Sequence, residues 1–270
     1  MLVVHVEKNV KLAVYDLNPN GKRTILMIHG WPLSGKIFEY QQEVLVKSGF
    51  RVITLDLRGM GNSDAPAHGY NYSRLATDIY QVVKTLRLSN FTLAGFSMGG
   101  AIALRYMGLF NGYGVNKLCL LAAAAPCYTI RPGFPYGVKK QKLDEYIIQA
   151  STDRPSLCQV FSQMLLHSPH SSAVKDWFKD IALMASGIGT IGTAFSLRDE
   201  DVRPDIARVC VPTAIFHGRQ DKIVPFELGI IQHKSLPGSI FYTFDNSGHG
   251  IFYDELATFN EWLLEFLNLS

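Results

Sequence analysis

The chain has 270 residues, 47% of them apolar and 18% charged, with a formal net charge of +3. That length supports one large hydrophobic core and leaves little room for a second independent domain of ordinary size. Acidic and basic residues are interleaved with no block of like charge, which argues against nucleic acid or an anionic membrane as partner and leaves a small molecule as the expected one.

Residues Met1 to Asp16 already include Glu7, Lys8 and Lys11 and lack the basic head and apolar centre of a signal peptide. Short runs rich in β-branched residues predict strands at Leu2 to Val6, Leu12 to Leu17 and Thr24 to Ile28, with Asn18-Pro19-Asn20-Gly21 reading as a hairpin turn. The pattern then alternates: helix Phe38 to Lys47, strand Arg51 to Leu55, helix Ser73 to Leu86, strand Phe91 to Ala94, helix Met98 to Phe110, strand Lys117 to Ala122. Alternation of this kind builds a parallel sheet covered by helices. It stops between about Cys127 and Arg203, where helical runs mix with Pro, Gly, Phe, Tyr and Met and no strand is evident. The rhythm resumes with strand Val211 to Phe216, helix Phe226 to Lys234, strand Ser239 to Phe244 and a last helix Glu255 to Leu267. The sequence therefore predicts an α/β fold of the α/β-hydrolase type, with residues 1–126 and 204–270 as the core and 127–203 as an inserted helical cap. The longest apolar run, Leu118 to Cys127, falls well short of the roughly 20 residues that span a bilayer. Cys119, Cys127, Cys158 and Cys210 form no C-x-x-C pair and read as buried thiols, with a cytoplasmic location expected.

Gly95-Phe96-Ser97-Met98-Gly99 fits G-x-S-x-G, in which small flanking residues allow a strained turn that lifts the serine hydroxyl off the sheet. The motif follows a predicted strand and opens a predicted helix, the context its mechanics require. A serine hydroxyl needs a base, and the base needs an acid to hold its tautomer. Asp221 follows a predicted strand in His217-Gly218-Arg219-Gln220-Asp221, and His249 lies between two glycines before the last helix, so serine, acid and histidine occur in the order of this fold. Asp245 also ends a strand and competes for the acid role, but the turn-rich loop Gly218 to Pro225 is the better geometric source. An oxyanion would be met by two backbone donors. The N–H of Met98 follows the nucleophile at a helix N-terminus, and the N–H of Trp31 is the second candidate in His29-Gly30-Trp31-Pro32, where Pro32 has none to give. His29 reads as a brace for that loop.

These segments, together with Asp56-Leu57-Arg58-Gly59-Met60-Gly61-Asn62-Ser63, resemble the α/β-hydrolase superfamily along nearly the whole chain outside the cap. The Phe-Ser-Met-Gly-Gly elbow and the Trp-Pro pair are most similar to its small bacterial aryl esterases and cofactor-free haloperoxidases, or perhydrolases. The resemblance implies serine esterase chemistry on a small ester, with no metal or organic cofactor. It leaves a lactonase or another acyl hydrolase as an alternative, and a hydrolase-fold receptor as a second. Haloalkane dehalogenases and epoxide hydrolases are set aside because their elbow carries Asp where Ser97 stands here.

Three patterns read as structural. Gly187-Ile188-Gly189-Thr190-Ile191-Gly192 matches G-x-G-x-x-G but follows a helical run, so a flexible cap segment is expected there. His167 and His170 read as surface loop, because Pro169 breaks any helix that would align them as a metal pair. Gly59-Met60-Gly61 reads as the turn after the fourth strand. The substrate pocket is expected between Ser97 and the cap, bordered by Trp31 and Met98, with Phe134, Tyr136, Phe161, Met164, Phe178, Met184 and Phe195 supplying apolar area that suits an acyl or aryl group.

Overall fold

The computed structural model describes residues 1–269. Strands β1 (Leu2–Glu7), β2 (Val10–Leu17), β3 (Arg23–Ile28), β4 (Phe50–Leu55), β5 (Phe91–Phe96), β6 (Val115–Leu121), β7 (Thr213–Gly218) and β8 (Ile240–Phe244) form one sheet. Its order is β1-β2-β4-β3-β5-β6-β7-β8. All neighbours from β4 to β8 pair in parallel, whereas β2 pairs antiparallel with both β1 and β4. The hairpin is therefore β1–β2, joined at Lys8-Asn9. The turn at Asn18 to Gly21 closes locally through a Gly21 N–H to Asn18 carbonyl bond, but β4 lies between the strands it connects. The turn residues gave the bend correctly; the strand that fills the gap comes from a distant parallel crossover, which local turn chemistry does not encode.

Strands β5 and β7 are buried along their whole length, as expected of central parallel strands covered on both faces. The covering helices are α1 (Glu39–Lys47), α2 (Tyr72–Thr85), α3 (Met98–Phe110), the short α8 (Arg203–Ile206), α9 (Phe226–Ser235), the short α10 (Ile251–Asp254) and α11 (Leu256–Asn268). Helix α2 buries Leu75, Ala76, Ile79, Val82 and Val83 on one face, and the Asn71 side chain caps its N-terminus by accepting from the Arg74 N–H. The loop after β4 is pinned by Arg58, a fully buried guanidinium that donates to both carboxylate oxygens of Asp78 at 2.6 and 2.8 Å and to Glu7 at 2.6 Å. This bidentate pairing satisfies a charge that would otherwise be costly to bury.

Helices α4 (Lys140–Thr152), α5 (Arg154–Leu165), α6 (Ser172–Leu183) and α7 (Gly187–Asp199) fill the stretch between β6 and α8. The glycine-rich segment expected to be a flexible stretch is instead the first two turns of α7. Its glycines serve packing: a Cβ on Gly189 would lie 2.7 Å from the Gly59 Cα, so helix and loop backbones touch. Ser186 locks this contact, its N–H and hydroxyl both donating to the Gly59 carbonyl at 2.8 and 3.0 Å while its hydroxyl accepts from the Gly189 N–H.

Among the described residues no single helix is long and apolar enough to cross a membrane. His170 lies in the loop before α6 and pairs with Asp254 at 2.8 Å, and no group of three or more His, Cys, Asp or Glu among the described residues is placed to hold a metal. Cys119, Cys127 and Cys158 are buried, but Cys210 is exposed, because it sits in the turn leading into β7 and not in the strand itself.

Candidate active site

Ser97 stands between β5 and α3 with φ 55° and ψ −120°, a left-handed conformation that a non-glycine residue adopts only when its surroundings impose it. The surroundings are glycines. A Cβ on Gly95 would meet the Gly99 carbonyl oxygen at 2.3 Å, and one on Gly99 would meet the Ile28 carbonyl oxygen at 2.4 Å. The elbow spacing is thus a packing requirement, and it leaves the Ser97 side chain at the wall of a cavity that α4, α5 and α7 also line.

The loop after β3 passes directly over this serine, since a Cβ on Gly30 would lie 2.7 Å from the Ser97 Cβ. His29 braces the loop: its Nδ1–H donates to the Gly30 carbonyl at 2.8 Å, and its Nε2 accepts the Leu57 N–H at 2.9 Å. Both ring nitrogens are therefore used, and complete burial holds the imidazole below its usual pKa despite the nearby Asp56 charge. The Trp31 indole donates to the Thr190 carbonyl of α7 at 2.9 Å, tying the loop to that helix. Neither the backbone N–H of Trp31 nor that of Met98 donates to another backbone group among the described residues.

His249 and Asp221 are brought together from separate loops. A Cβ on Gly218 would meet the Gly248 and Ser247 carbonyl oxygens at 2.3 Å, so the loops after β7 and β8 lie in contact. His249 Nδ1 is 2.7 Å from Asp221 Oδ2, with both side chains fully buried. Asp221 Oδ1 accepts the Ile223 and Val224 N–H groups, each at 2.8 Å. Burial alone would raise the Asp221 carboxyl, but the facing His249 and His217 rings hold it well below the usual carboxylate range. Because Nδ1 faces a carboxylate it carries the proton, which leaves the buried Nε2 as an acceptor without a partner among the described residues. The His249 ring packs against Phe96, the residue before Ser97, with centroids 4.7 Å apart. Asp245 is elsewhere: its carboxylate is largely exposed and pairs with Arg219 at 2.6 Å.

The cavity at Ser97 is small, about 10 Å³, and is walled by Trp31, Ala124, Tyr128, Leu143, Tyr146, Phe161, Leu197 and Ile223. Trp31 stacks on Tyr146 at 5.8 Å and meets Phe161 edge-on at 5.6 Å. The Tyr128 hydroxyl donates to the Ile223 carbonyl at 2.8 Å, so it turns a satisfied group away from any ligand. A larger cavity of about 450 Å³ lies near Cys210 and Pro237 and touches none of these residues.

Of the seven apolar cap residues expected around the pocket, Phe161 lines it. Phe134 is buried beside Tyr136 and Phe178 between Trp177 and Tyr253, Met164 is half-buried against the core, and Tyr136, Met184 and Phe195 are exposed. Helix register decides this: α7 turns Thr190, Thr193 and Leu197 inward and Phe195 outward. Met98 does not border the cavity either, because its side chain is fully buried in the core. The lining residues that went unread include Leu143 and Tyr146, whose three-residue spacing on a helix puts them on one face. Ile223, two positions after Asp221, was the other available signal.

A sheet of this topology, carrying a strained serine at the end of β5 and a buried His–Asp pair after β7 and β8, defines an α/β hydrolase. The family model for the alpha/beta hydrolase fold matches residues 23–256, and the chain belongs to that family. It is 45% identical over 265 residues to the AB hydrolase superfamily protein YisY of Bacillus subtilis, covering 98% of each chain. Among solved structures it is similar to the esterase EaEST from Exiguobacterium antarcticum, with 40% identity, a TM-score of 0.96 and 99% of each chain covered. It is also similar to a bromoperoxidase from Bacillus anthracis, with 31% identity, a TM-score of 0.94 and 99% of each chain covered.

Proposed function

We propose that the chain is a serine carboxylesterase that cleaves esters with a small apolar acyl group through a Ser97 acyl-enzyme. The observation that carries this reading is the buried His249, held by Asp221 at 2.7 Å through Nδ1, with an unpartnered Nε2 and a ring packed on the residue that precedes Ser97. In this mechanism His249 Nε2 takes the Ser97 proton as the hydroxyl attacks the ester carbonyl, and returns it to the departing alcohol. The N–H groups of Met98 and Trp31 receive the developing oxyanion. Water, deprotonated by the same imidazole, then releases the acid.

The apolar lining and the small cavity support a short, uncharged acyl group. The test is kcat/KM for p-nitrophenyl esters of increasing acyl length in the parent and in Ser97→Ala. Turnover of the short esters, lost by several orders of magnitude in the variant, supports the reading; undiminished turnover in the variant, or none in the parent, refutes it.

The likeness to a bromoperoxidase and the position of Pro32 beside Trp31 favour a second activity, capture of the acyl-enzyme by hydrogen peroxide to give a peracid. The ratio of peracid formation to ester hydrolysis should fall several-fold in Pro32→Leu; an unchanged ratio removes any part for Pro32.

A further inference from the structure

His217 stands at the end of β7, four residues before Asp221, and is fully buried. Its Nε2 lies 3.0 Å from the Val224 carbonyl oxygen and 3.3 Å from Asp221 Oδ2. A carbonyl only accepts, so Nε2 carries the proton and donates it to the Val224 carbonyl, with Asp221 Oδ2 beside it at 3.3 Å. Nδ1 is buried and has no hydrogen-bond partner among the described residues. The ring is closely packed: a Cβ on Gly229 of α9 would sit 2.7 Å from Nδ1, and Phe226 meets the ring edge-on at 5.7 Å.

Asp221 Oδ2 is consequently shared by two imidazoles, His249 at 2.7 Å and His217 at 3.3 Å, while Oδ1 is occupied by the Ile223 and Val224 N–H groups. The hydrogen bonds to this carboxylate come from the loop's own backbone and from His249. His217, beside Oδ2, is anchored in the sheet.

Building on the serine-hydrolase reading, we propose that His217 is a positioning residue: it ties the Asp221 carboxylate and the Val224 carbonyl to strand β7 and so fixes the angle from which Oδ2 meets His249. A carboxylate free to rotate about its Cβ–Cγ bond would still pair with His249 on average, but would hold the imidazole less often in the geometry needed at Ser97. The cost falls on the chemical step, because His217 does not touch the cavity that binds the acyl group.

The experiment compares His217→Leu, which removes the donor, with His217→Gln, whose side-chain amide can present an N–H near the position of Nε2. Steady-state kinetics on a short ester are paired with proton NMR of the His249 Nδ1–H, which reports the bond to Asp221 without any turnover. In His217→Leu, kcat falls about tenfold with KM within about twofold, and the Nδ1–H resonance shifts and broadens; His217→Gln restores most of both. Loss of thermal stability alone, with kcat and the resonance at parent values, overturns the proposal, and so does a Gln variant as impaired as Leu. If His217→Leu does not fold, Gly229→Ala displaces the ring instead, and an unmoved resonance there is equally contrary. Should the parent hydrolyse no ester, the esterase reading fails, while the NMR comparison still decides whether His217 positions Asp221.

Discussion

Truncating Tyr146 tests whether α4 sets acyl size. The cavity at Ser97 is about 10 Å³, roughly the room one water needs, so a butyryl chain enters only by displacing Tyr146, Leu143 or Phe161. Tyr146→Ala removes the ring stacked on Trp31 and opens the cavity toward α4. Each methylene then buried contributes about 0.8 kcal/mol, so the two that distinguish butyrate from acetate are worth about 1.6 kcal/mol, or roughly 15-fold, at most. The variant also forfeits about 0.5–1.5 kcal/mol of aromatic pairing with Trp31, which denaturant titration will register as lower stability. The assay is kcat/KM for p-nitrophenyl butyrate over p-nitrophenyl acetate, and the expected outcome is a rise in that ratio of about tenfold over the parent. Phe195→Ala, which trims an exposed cap aromatic, should leave the ratio unchanged. An unchanged ratio in Tyr146→Ala, or an equal rise in Phe195→Ala, would refute the reasoning.

Three further outcomes are expected. Asp221→Asn should lower kcat by roughly 10⁴ by selecting the wrong His249 tautomer, and Asp245→Asn, at an exposed pair with Arg219, should change it less than about twofold; the reverse ranking would move the acid role. Because the Asp221 carboxyl is held below its unfolded value of about 3.9, the stability it contributes is complete above that pH and is lost as the pH falls toward its folded pKa, so denaturation midpoints should drop more steeply below pH 4 in the parent than in Asp221→Asn. Gly99→Ala would place a Cβ 2.4 Å from the Ile28 carbonyl oxygen and should cost at least about 1–3 kcal/mol with loss of activity, whereas Gly187→Ala, where a Cβ meets nothing, should be tolerated in both measurements.

The fold was legible because strand and helix periodicities are local, and Ser97, Asp221 and His249 sit at turns that small residues mark. The failures were of a different kind. The Asn18 to Gly21 turn was recognisable, but not that β4 would insert beside β2, since that pairing depends on a crossover more than thirty residues away. The glycines of α7 looked like a loop because glycine disfavours helices; what overrides the propensity is the contact of Gly189 with Gly59. Pocket residues were misjudged because apolarity does not say which face of a cap helix turns inward, as Phe195 and Leu197, two positions apart, show. His217 belongs to the His-Gly-Arg-Gln-Asp segment, yet its approach to Asp221 follows from a four-residue turn whose shape local sequence does not encode.

The central claim is that Ser97 is the nucleophile, and covalent labelling addresses it without any assumption about the natural ester. Incubating the parent with a phosphonate ester and mapping the modified peptide by mass spectrometry should give one adduct, on Ser97, formed in step with loss of esterase activity. An adduct on another residue, or full esterase activity surviving complete modification of Ser97, would contradict the account.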